Sequence, residues 1–142
     1  MKVKVKDLEN ETIIDRAIFI AESFYELADS LPIEEKHMIS SRFRFACLDI
    51  VFYIAQGVGG EGGITEHDWI SVKKNLLGLK SVYRLAGKQG VVNIDPDLMV
   101  KIDSLYDETD ENLKLSREVV KDLRKEDLEP WLEKYKLWKE MQ

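Results

Sequence analysis

Four stretches of this chain place apolar residues at alternating steps of three and four, and only packed helices bury such a pattern on one face. The first stripe is Ile14, Ala17, Ala21, Phe24, Ala28 and Leu31, with Asp15, Arg16, Glu22, Glu26 and Asp29 elsewhere on the cylinder. Asn10 or Thr12 suits its N-cap, and Thr12 with Asp15 three residues on has the form of a capping box. Pro32 ends the segment and opens the next in its first turn, where a missing N–H is harmless. The second segment, about Ile33 to Gln56, passes from a polar start into FRFACLDIVFYIA, apolar on nearly every side. Such a helix is deep in a core or covered by another subunit. GVGGEGG at 57–63 then breaks it, because so many glycines leave too much backbone entropy to lose.

The third segment starts with Thr65 as N-cap and Asp68 at the capping-box position. Its stripe is Trp69, Val72, Leu76, Leu79, Tyr83 and Ala86, with Gly87 suited to the position just past the helix. The fourth opens at Asp95-Pro96 and carries Met99, Ile102, Tyr106, Thr109, Leu113, Ser116, Val120 and Leu123. Glu129-Pro130 then restarts the chain as a shorter helix with Trp131, Tyr135, Trp138 and Met141 on one edge. The spacing therefore predicts an all-α, up-down-up-down four-helix bundle over residues 1–124 and an additional short C-terminal helix over 125–142. At 142 residues one domain is enough, and 8 glycines with 3 prolines are too few for a turn-rich β protein. The N-terminal MKVKVKDLENE has no apolar core behind its lysines and no segment reaches membrane-spanning length, so the expectation is a cytoplasmic protein.

Catalytic patterns are thin. Glu34-x-x-His37 has the spacing of di-iron bundle helices, but such a site needs a second copy and two more carboxylates. The only other histidine, His67, lies in a helix cap, so two surface histidines explain the pattern better than a metal. Cys47, the single cysteine, sits in an apolar run and reads as a buried structural thiol. The glycine loop lacks the Gly-Lys-Ser/Thr ending of a phosphate loop, and Asp103, Asp107, Glu108, Asp110 and Glu111 read as a solvated acidic face. The reading is a non-enzymatic chain with no cofactor and no metal.

Charge and aromatic surplus say more. The net charge is −6, yet residues 32–92 carry eight basic and six acidic side chains, a local +2. Lys73, Lys80, Arg84 and Lys88 follow steps of seven, four and four along one helix flank; with Arg42 and Arg44 they form a candidate nucleic-acid or partner surface. A solvated helix face is the plainer alternative. On the second segment Phe43, Phe45, Phe52 and Tyr53 exceed what one bundle face covers, and the surplus is expected to meet another subunit. Trp131, Tyr135 and Trp138 are expected to dock on their own bundle, a neighbouring subunit or a partner.

LADSLPIEEKHMISSRFRFA at 27–46, IAQG at 54–57 and LKSVYRLAGKQGVVNI at 79–94 resemble a family of small four-helix bundle proteins. Its members are the ribosomal-RNA intervening-sequence proteins and the accessory variability determinant (Avd) proteins of diversity-generating retroelements. The resemblance runs from about Ile14 to Val120 and is closer to the Avd branch. It implies a non-enzymatic ring, typically a pentamer, that binds RNA or DNA and a reverse transcriptase through basic residues. Arg44, Lys80 and Arg84 fall on the family's basic positions, with Arg42 close by. Phe45, Val51, Tyr53 and Gln56 depart from residues common there, respectively an arginine, a proline, an asparagine and a glutamate. The alternative is an acidic protein–protein or structural oligomer with no nucleic-acid role.

Overall fold

The computed structural model describes residues 12–32, 36–60 and 65–142, at 36, 37, 119, 120 and 122–128 through the backbone alone. Four α-helices account for most of them: α1 Ile13–Ser30, α2 Ser41–Gly59, α3 Thr65–Lys88 and α4 Pro96–Glu140. A wide π-helical turn, Lys36–Ser40, leads into α2. Consecutive helices pack on one another and α1 closes the ring against α4, the arrangement of an up-down-up-down bundle. Glu34, the last residues of the glycine loop and the side chains of His37, Val120 and Leu123 lie outside the described residues.

Local chemistry sets the helix ends. Thr12 caps α1, its Oγ1 accepting from the Asp15 N–H at 3.2 Å while its hydroxyl donates to the Asp15 carboxylate at 2.7 Å. Asp95 caps α4 by accepting from the Asp97 N–H at 2.9 Å, with Pro96 in the first turn. Two expectations about glycine are corrected. Gly90, not Gly87, holds the left-handed conformation (φ 74°) after α3; its N–H donates to Gly87 O and the Val91 N–H to Ala86 O, the paired bonds of a Schellman motif. Gly87 instead leaves room for Ile94, which would lie 2.5 Å from a Cβ there. Helix two also runs past Gln56 and ends at Gly59.

Inside, every member of the expected α3 stripe is buried, from Trp69 to Ala86. Phe24 of α1, Phe43 of α2 and Tyr83 of α3 meet edge-to-face at the centre, with ring centroids 4.9, 5.1 and 6.4 Å apart. The Tyr83 hydroxyl satisfies itself by accepting from the Asp95 N–H at 2.8 Å and donating to Asn93 O at 3.4 Å, so the core ring also anchors the start of α4.

Along α3 and α4 the chain aligns three ion pairs: Glu66–Arg117 at 3.0 Å, Lys73–Asp110 at 2.6 Å and Lys80–Asp103 at 2.6 Å. Each step of seven along α3 is answered by a step of seven back along α4, so the helices are antiparallel in one register. The first pair has reversed polarity. A slip of one heptad would set Glu66 against Asp110 in one direction, or Lys73 against Arg117 in the other.

The C-terminal extension is helical, as expected, but it continues α4 instead of starting afresh at Pro130. A proline in a helix interior costs about 3 kcal/mol. Here strong helix formers flank it on both sides, and the site is exposed, so water can serve the backbone groups the ring displaces.

Gly57 is buried in α2, and a Cβ there would stand 2.8 Å from two carbons of the Trp69 ring. Gly57→Ala is expected to lower stability by about 1–3 kcal/mol through overpacking, read as a drop in the urea midpoint without a change in slope.

Candidate functional site

On α2 the four-three rhythm occurs twice. Phe43, Cys47, Ile50, Ile54 and Gly57 face the core. Phe45, Leu48 and Phe52 form a second stripe, about 180° round the helix at 100° per residue, and all three are exposed. Phe43 is thus corrected from interface to core: it is wholly buried inside one chain, whereas Phe45 is 67% exposed. Tyr53 is half-buried beside the core, its ring edge-on to Phe52 at 5.2 Å and to His67 at 6.2 Å.

Between α2 and α3 lies an open groove of about 780 Å³, its rim and floor including Met38, Arg42, Phe45, Lys74, Gly78 and Val82. Met38, in the middle of the wide turn, is 76% exposed. Gly78 is exposed in mid-helix, and a Cβ built on it meets nothing within 4 Å. Met38, Leu48, Lys74 and Gly78 were not among the sequence candidates. Met38 and Leu48 carried a signal, standing seven before and three after Phe45; Lys74 and Gly78 are joined to them only by the packing of α3 on α2.

The six basic candidates separate into two groups. Lys73 and Lys80 turn toward α4 and pair with Asp110 and Asp103; Lys73 also lies 5.3 Å from the centre of the Tyr106 ring. Arg44 pairs with Asp29 on α1 and stands over Tyr25. Arg42, Arg84 and Lys88, with Lys74, are exposed and have no ionic partner among the described residues. The shared flank on α3 therefore faces an acidic neighbour for half its length, which shrinks the outward field.

Trp131, Tyr135 and Trp138 do not dock on their own bundle. All three are exposed along the end of α4, Trp131 stacked on Tyr135 with centroids 5.8 Å apart and Trp138 tilted by 30° against Tyr135 at 6.0 Å. Cys47 is buried, and loss of hydration pushes its thiol pKa up to about 12, so it is a poor nucleophile in the folded chain. Among the described residues no three His, Cys, Asp or Glu side chains gather as a metal site, and no helix is long and apolar enough to cross a membrane.

Fold and surface together define an all-α four-helix bundle with an open groove of mixed apolar and polar lining between α2 and α3. Comparisons with protein-family models, curated proteins and solved structures give no match to this chain.

Hydrogen bonds from Lys73, and then Lys114, hold the Asp110 carboxyl below its usual range, while the bond to Asp110 raises Lys73. A depressed folded carboxyl contributes stability above its unfolded pKa, about 3.9, and loses it as pH falls through the folded value. Asp110→Asn is expected to lower stability at neutral pH, with the gap to wild type closing below about pH 4. Urea unfolding over a pH series reads this directly.

Proposed function

We propose that the protein is a non-enzymatic oligomeric scaffold whose copies meet through the outer face of α2 and the α2–α3 groove. The observation that carries this is the second apolar stripe of α2, Phe45, Leu48 and Phe52, beside a groove with Gly78 in its lining. Scattered apolar residues on a surface need no explanation, but a periodic row facing water along a groove does. Gly78 adds an independent argument. Glycine in an exposed helix interior costs about 0.5–1 kcal/mol relative to alanine, and among the described residues nothing within 4 Å of a Cβ at this position requires it. A side chain or helix of another copy approaching the groove would.

A ring of five copies is the arrangement the Avd resemblance implies, and a heterologous contact of this kind closes into a ring when its rotation permits. Light scattering of the purified chain is expected to give a closed oligomer. Phe45→Asp should reduce it to monomer with unchanged helix content. Gly78→Ala should raise the unfolding midpoint of that monomer, and Gly78→Leu in the otherwise wild-type chain should weaken assembly. A wild-type monomer at high concentration overturns the reading.

A nucleic acid, or a reverse transcriptase that carries one, is a second reading, favoured by the exposed Arg42, Lys74, Arg84 and Lys88, which have no ionic partner among the described residues. Four phosphate contacts would give a slope of log affinity against log salt of roughly −3 to −4 per copy. Arg84→Ala with Lys88→Ala is expected to flatten that slope, while Lys80→Ala, already engaged with Asp103, should barely change it. No binding at low salt leaves the acidic protein–protein oligomer as the function.

A further inference from the structure

The ion pairs of the bundle leave its two halves with opposite charge. On α2 and α3 the cations without an ionic partner among the described residues are Arg42, Lys74, Arg84 and Lys88, against the exposed Asp49 and the buried Asp68. On α1, and on α4 as far as Asn112, the groups left over in the same sense are acids: Asp15, Glu22, Glu26, Asp97, Asp107 and Glu111. Lys101 is the one such cation there, and its Nζ lies 3.8 Å from the centre of the Phe19 ring. Each half also carries an open depression. Arg42, Lys74 and Asp49 belong to the lining of the α2–α3 groove. Between α1 and the start of α4 is a cleft of about 500 Å³, its lining including Phe19, Leu98, Glu26, Asp95, Asp97 and Lys101. In a bundle closed from α1 through α4, these two sides stand back to back.

We propose that the second copy meeting the α2–α3 groove presents its α1–α4 side, so that the contact is heterologous. This rests on the reading of that groove as the surface where copies meet, and adds which surface of the next copy fills it. Charge decides between the arrangements. Groove on groove, an isologous contact, gathers Arg42 and Lys74 from both copies with only the two Asp49 carboxylates to answer them. Cleft on cleft doubles Glu26, Asp95 and Asp97 in the same way. Groove on cleft sets Arg42 and Lys74 beside Glu26 and Asp97, and gives the exposed Phe45 the half-exposed ring of Phe19 to pack on. Like-charge juxtaposition is what suppresses wrong pairings at an interface. Each copy then offers one groove and one cleft, so addition continues until a rotation closes it, and a two-fold dimer is ruled out. These charges sit at open rims, so assembly weakens as salt rises.

Sedimentation velocity of the full chain tests this. Glu26→Lys/Asp97→Lys keeps the groove intact, and Phe45→Asp keeps the cleft intact. Each is expected to be monomeric alone, with wild-type helix content by circular dichroism. Mixed, they should form a one-to-one dimer that grows no further, because each supplies the surface the other lacks. Arg42→Glu/Lys74→Glu should also be monomeric, and should assemble again when mixed with Glu26→Lys/Asp97→Lys. The neutral pair Glu26→Gln/Asp97→Asn, which spares the fold a charge reversal, is expected to weaken assembly roughly tenfold. An oligomer lost in Phe45→Asp but unchanged in both Glu26/Asp97 variants overturns the heterologous contact and leaves the groove reading standing. Absence of the one-to-one dimer from a mixture of folded monomers overturns it as well. A monomeric wild type overturns both.

Discussion

The antiparallel register of α3 on α4 is the constraint on which the rest of the molecule depends. Its three ion pairs are part-exposed, and each contributes only about 0.2–1 kcal/mol. They do not hold the bundle together; burial of Trp69, Leu76, Leu79, Ile102, Leu105 and Leu113 does that. What the pairs add is discrimination. Apolar stripes repeating every seven residues can slide by seven with little loss of contact, and the one pair of opposite polarity penalises the slide in both directions. The register, once set, decides where α4 leaves the bundle. It also decides which cations are spent internally and which face water.

The centre of the bundle follows a related logic. Phe24, Phe43 and Tyr83 come from α1, α2 and α3, so no two of these three helices can shift without parting aromatic edges. Tyr83 further couples this packing to the first turn of α4 through its hydroxyl. Losing that oxygen would strand a backbone N–H at a helix start, a penalty of about 1–3 kcal/mol. Rigidity of this kind lets the outer face of α2 stay fixed while presenting phenylalanines to solvent.

Much of this was legible in the sequence. Stripe spacing gave four helices, and the α3 stripe proved buried residue for residue; Thr12 and Asp95 were recognisable caps because capping chemistry is local. Phe43 and Phe45 were harder to tell apart. Each belongs to a four-three series on α2, and what separates them is length: the series of Phe43 runs on through Cys47, Ile50 and Ile54 to Gly57, whereas that of Phe45 ends at Phe52. Pairing of Lys73, Lys80 and Arg44 was invisible because ion partners come from other helices. Their heptad spacing against Asp103 and Asp110 was nevertheless present. Pro130 misled because proline's local penalty was set against a helix whose neighbours outweigh it.

The length of α4 has a hydrodynamic consequence. A rod of about 68 Å at 1.5 Å per residue projects from a bundle whose other helices are roughly half as long or less. A compact chain of this size would have a radius of gyration near 15 Å. So elongated a particle tumbles and diffuses as though it were heavier, and on a gel-filtration column even a single copy would elute among much larger spheres.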